Sequence, residues 1–77
     1  MQTKFKRHQR VKILVAPNLE YVEYHDEENT PPIERGMTGT INILLPNGHY
    51  HVAILDKKDN VIAYAPFAEE DLQATVD

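Results

Sequence analysis

The chain has 77 residues, with 8 Lys plus Arg against 12 Asp plus Glu, a net charge of −4 and no cysteine. That length makes one domain, and a domain so small buries only about 60% of the surface its unfolded chain exposes, so the core is thin. Without cysteine, disulfides and thiolate-bound zinc are excluded, and stability has to come from a well-paired sheet or from self-association.

At the N-terminus Lys4, Lys6, Arg7, Arg10 and Lys12 surround the start of a short apolar run, Val11–Ala16. Lys12 interrupts that run and Pro17 stops it, which is not the pattern of an export signal. No stretch approaches the roughly 20 apolar residues of a membrane span, so a soluble, cytoplasmic protein is expected. Residues 1–8 read as a basic tail and 9–77 as the folded domain.

Gln9–Val15 alternates, with Val11, Ile13 and Val15 on one face, and reads as the first strand. Residues 17–36 form a long connection, kept extended at Thr30-Pro31-Pro32 because proline restricts the residue before it. Leu19, Tyr21, Val22 and Tyr24 are expected to fold part of it back onto the sheet as an irregular hairpin. The second strand is Met37–Leu45, with Ile41, Ile43 and Leu45 inward. After a turn at Pro46-Asn47-Gly48 the third is His49–Leu55, with Tyr50, Val52 and Ile54 inward. The edge of this central hairpin is expected to be open to strand addition by a partner. Asp56–Asn60 is a polar turn, and Val61–Ala65 is a fourth strand stopped by Pro66. Phe67–Leu72 reads as one helical or 3₁₀ turn, and Gln73–Val76 as a closing fifth strand.

This order predicts an all-β protein: a small five-stranded SH3-like barrel with a long first loop and one short 3₁₀ turn before the last strand. The motifs Val11-Lys12-Ile13-Leu14, Gly36-Met37-Thr38-Gly39-Thr40-Ile41 and Phe67-Ala68-Glu69-Glu70-Asp71-Leu72 resemble those of the SH3-like electron-transport accessory proteins. That group includes the SH3-like component of photosystem I, the variable chain of ferredoxin–thioredoxin reductase and the C-terminal barrel of the nitrile hydratase β chain. Small bacterial and phage proteins show the same pattern. The resemblance spans residues 8–76 and implies the barrel fold and an accessory role beside a redox or hydratase enzyme. It carries over no catalytic residue. His8 stands where the group often has a glycine, three residues before the first strand's valine.

The chemistry of the side chains points away from catalysis. With no serine and no cysteine there is no Ser- or Cys-based nucleophile. Gly36-Met37-Thr38-Gly39 precedes a strand rather than a helix, so it is not a phosphate cradle. No cofactor or small-molecule substrate is expected. His49 and His51 are side by side on one face of the third strand, and with His25, Asp26 or Glu28 as a third ligand they could start a metal site. Hydrated surface histidines are the simpler expectation.

Charge is segregated instead. Positions 20–34 carry Glu20, Glu23, Asp26, Glu27, Glu28 and Glu34 with no Lys or Arg. Interleaved aromatic and imidazole groups make Tyr21, Glu23, Tyr24, His25, Asp26, Glu27 and Glu28 the expected contact set for a protein partner. Tyrosine supplies contact area at low entropic cost, and carboxylates steer a basic surface. The absence of Trp argues against proline-motif recognition of the usual SH3 kind. Nucleic acid is the alternative partner, bound by an arm of Lys4, Lys6, Arg7, Arg10 and Lys12 around Phe5. The acid-rich remainder of the chain opposes it.

Overall fold

The computed structural model describes residues 4–75. In chain order its elements are β1 (Arg10–Ile13), a 3₁₀ turn η1 (Leu19–Tyr21), β2 (Glu23–Tyr24), β3 (Thr38–Leu44), β4 (Tyr50–Leu55), β5 (Val61–Phe67), a second 3₁₀ turn η2 (Glu69–Asp71) and β6 (Leu72–Ala74). The strands form one antiparallel sheet in the order β2-β5-β4-β3-β1-β6. The all-β class is as the sequence implied. Among the described residues there are six strands rather than five, because Glu23 and Tyr24 inside the long connection pair with Tyr64 and Ala63 of β5. A two-residue strand has no alternation of its own to betray it.

The register lines up Tyr24, Ala63, Ile54, Gly39 and Val11 across the inner face. Around that row the core gathers Phe5, Ile13, Ile33, Ile41, Tyr50, Val52, Ala65, Phe67 and Leu72. Each large member contributes about 1.5–3 kcal/mol on burial. Gly39 is required by this closeness: a Cβ there would lie 2.6 Å from Val52 Cγ1 and 2.8 Å from the Ala53 carbonyl oxygen. Tyr50 is fully buried, yet its hydroxyl is satisfied. It accepts from the Phe5 amide at 3.3 Å and donates to Glu69 at 3.0 Å.

Both ends of β4 close in the same way. Gly48 donates to the Leu45 carbonyl at 3.1 Å and Leu45 to that of His49 at 2.7 Å; Asp59 donates to the Asp56 carbonyl at 3.1 Å and Asp56 to that of Asn60 at 2.9 Å. Each is a three-residue hairpin loop whose last residue is left-handed, Gly48 at φ +84° and Asp59 at φ +64°.

Several expectations change. β1 ends at Ile13, and Val15 is exposed, since the chain turns off toward Pro17. Ile43 is not inward. The register slips between Ile41 and Ile43, so Asn42 is an extra residue and the alternation reverses after it. Ile41 is 2% exposed and Ile43 44%. Leu45, expected inward with Ile43, lies beyond the strand and is half-buried in the turn. β5 continues through Pro66 to Phe67. This is tolerated because β2 covers only Ala63 and Tyr64, leaving Pro66 where β5 is an edge. The last strand starts at Leu72 rather than Gln73; Val76 lies outside the described residues. The central hairpin offers no open edge over most of its length, because β1 flanks β3 and β5 flanks β4. Residues 5–8, read as tail, pack onto the sheet: Phe5 is 3% exposed and the His8 amide donates to the Ile41 carbonyl at 2.7 Å.

Candidate functional site

The connection between β1 and β3 is held to the sheet at intervals. Asn18 starts η1 by accepting from the Glu20 amide at 3.0 Å through its side chain. Val22 and Tyr24 then pack on the core, and the His25 amide donates to the Ile62 carbonyl at 2.9 Å. Asp26 closes the next turn, its Oδ1 accepting from the Glu28 amide at 3.0 Å. The Tyr24 hydroxyl donates to the Pro31 carbonyl at 2.7 Å, and Ile33 is buried. Backbone bonds from Gly36 to Ile13 and from Ile13 to Met37 return the chain to β3.

This pinning separates the expected contact residues into two kinds. Tyr21, Glu23, His25, Asp26, Glu27 and Glu28 are exposed, Tyr21 by 61%. Tyr24 is half-buried, and both its ring and its hydroxyl are used within the protein. The exposed set is itself divided: Tyr21 belongs to η1, whereas Asp26–Glu28 form the turn beyond β2.

Beside η1 lies a groove of about 620 Å³ that the sequence did not reveal. It runs between the two 3₁₀ turns and the Leu45–His49 turn, with Val15, Tyr21, Leu45, His49, Phe67 and Asp71 among its walls. Val15 and Leu45 had the alternation of strand residues, and only the end of β1 and the bulge in β3 turn them toward this end of the molecule. A second groove, about 700 Å³, has mixed charge, with Arg10, Arg35 and Lys57 facing Glu34, Asp56 and Asp59. Arg10 and Asp59 are joined there by a hydrogen-bonded ion pair.

The basic set is also divided. Lys4, Lys6, Arg7 and Lys12 are exposed, but Arg10 is engaged by Asp59 and Phe5 is in the core, with its ring edge-on to Tyr50 at 5.4 Å. The aromatic group of the expected arm is therefore not offered to a base.

His49 and His51 do not share a site. His51 stacks on Tyr64 at 5.4 Å with 6° between the rings, and its Nδ1 lies 3.0 Å from the Asn42 amide nitrogen. His49 lies in the turn before β4, with a buried Nδ1 that has no hydrogen-bond partner. Among the described residues no three of His, Asp and Glu come together as metal ligands, so His25, Asp26 and Glu28 do not complete the pair. Nor does any helix there have the length and apolarity to cross a membrane.

No family model matches the chain, and neither a curated protein nor a solved structure matches it significantly.

Proposed function

We propose that this chain is a non-enzymatic, cytoplasmic SH3-like barrel that binds a protein partner through the acidic, tyrosine-bearing connection of residues 19–35. The strand order β6-β1-β3-β4-β5, with a 3₁₀ turn before β6 and a long connection after β1, supports the SH3-like reading. Kinship with the electron-transport accessory proteins rests on the three quoted motifs, and an accessory role beside a redox or hydratase enzyme rests on that kinship alone.

The observation that carries the binding reading is the pinning of the connection. A segment tied down by Asn18, Tyr24, His25 and Ile33 still leaves Tyr21, Glu23, Asp26, Glu27 and Glu28 in solvent. Ordered loops of this kind recognise partners without a large ordering cost. The acid run favours a basic partner and speeds its approach.

Nucleic-acid binding is the second reading, favoured by exposed Lys4, Lys6, Arg7 and Lys12 and opposed by the engagement of Arg10 and Phe5. A nuclease-treated pull-down comparing wild type with Glu23→Lys/Glu27→Lys/Glu28→Lys tests the first. Loss of the partner is expected, and unchanged recovery sinks it. Amide shifts on titration with duplex and single-stranded DNA or RNA at low salt test the second: shifts confined to residues 1–12 that vanish with salt leave the protein reading in place, and specific shifts across the sheet would replace it.

A further inference from the structure

We propose that the groove between η1 and η2 is a docking site for an extended peptide segment carrying Lys or Arg beside apolar residues. This rests on the protein-binding reading but assigns the contact to a place, and a partner chemistry, that the acidic run alone does not specify. Three features of the groove lead to that occupant.

The first is its apolar lining. Val15 and Tyr21 are exposed in its lining, Leu45 is half-buried there, and the buried Phe67 closes the floor. A surface of this kind accepts apolar side chains laid along it, and an open groove of about 620 Å³ has room for a few extended residues.

The second is charge. The lining contains no Lys or Arg, and Asp71 supplies its carboxylate. Both 3₁₀ turns beside it are acidic without a basic residue, Glu20 in η1 and Glu69, Glu70 and Asp71 in η2. The Arg10–Asp59 pair, the ion pair found among the described residues, lies at the other groove, and no Lys or Arg lines this one. Complementarity therefore selects a cationic segment and repels an acidic one.

The third is His49. Its buried Nδ1 has no hydrogen-bond partner among the described residues, its other ring nitrogen is bonded by no described group, and the residue lines the groove. The tautomer that carries its proton on Nε2 presents a donor to a ligand. A backbone carbonyl of the docked segment is its natural acceptor. Asp71 takes the cationic head, His49 the main chain, and Tyr21 with Val15 the apolar side chains.

The probe is a random peptide library displayed on phage and selected against the full chain, with enriched peptides then synthesised and titrated into labelled protein. Expected are sequences that combine Lys or Arg with apolar residues, that shift the amides of Val15, Tyr21, His49 and Asp71, and whose affinity falls about tenfold in Asp71→Asn. His49→Phe, which keeps the ring and removes the donor, should weaken them as well. The Asp71 side chain makes no hydrogen bond with the described residues, so the Asn variant keeps the fold, checked by an unchanged amide spectrum away from η2. Enrichment of acidic peptides, or none at all, overturns the groove, and the acidic-loop reading is then judged by the pull-down alone. Peptides that bind Asp71→Asn normally but lose affinity for Glu23→Lys/Glu27→Lys/Glu28→Lys overturn the groove and uphold the loop.

Discussion

The two halves of the central hairpin behave as if they belonged to different proteins. Near Gly39 and Ile54 the strands are paired on both sides and sealed from water. Past Asn42, Ile43 and Leu44 emerge 44% and 47% exposed, and the turn that follows becomes a wall of the groove. The inserted residue turns Ile43 outward, and Leu44, opposite Tyr50, lies beyond the stretch of β3 that β1 covers. The hydrophobicity of a side chain says that it prefers burial, but the register decides whether it gets it.

Substitutions can break this contrast in a graded way. The largest effect is expected from Ile54→Ala: the side chain is fully buried, and urea unfolding should show a loss of about 2–5 kcal/mol. Gly39→Ala comes next. Its methyl group meets Val52 and the Ala53 carbonyl, so a loss of about 1–3 kcal/mol is expected by the same measurement. Ile43→Ser, two residues beyond Ile41, should change stability by no more than about 0.5 kcal/mol. A larger loss there would mean that the bulge does not form in solution.

The smallest effect concerns the opposite turn of β4 and is read as a contribution lost in acid. The Asn60 amide first, and the Lys58 amide after it, hold the Asp56 carboxyl below its usual range by donating to it. A depressed folded value means that this carboxylate stabilises the fold above the unfolded pKa, near about 4, and that the contribution is lost as pH falls through the lower folded value. Unfolding of wild type and Asp56→Asn followed from pH 6 down to about 2 should therefore converge at the acid end. A gap that stays constant would remove Asp56 from the acid response. The Leu45–His49 turn has the same backbone bonds, but its first residue has no carboxylate, so Leu45→Ala should leave the acid response unchanged.

The same contrast runs through the candidate site. Glu27 and Glu28 were legible as surface because charged runs stay in water, and they are exposed. Tyr21 and Tyr24, three residues apart and chemically identical, part company: one lines the groove, the other packs on the core and bonds to Pro31. Nothing local distinguishes them. The pairing of Tyr24 with Ala63, a residue 39 positions away by sequence numbering, places it. Phe5 was equally unreadable in its basic surroundings, because its partner is Tyr50.

The all-β class, the places where the chain must turn, and the inward faces at Val11, Ile13, Ile41, Val52 and Ile54 are legible in the residues alone. Those follow from alternation and from Asn, Gly and Pro, which act over a few neighbouring residues. The bulge at Asn42, the two-residue strand β2, the passage of β5 through Pro66, the docking of Phe5 and the groove beside η1 arise only once the strands are packed together. Each depends on which distant strand lies opposite, and where a strand ends or slips is set by packing across the sheet rather than along the chain.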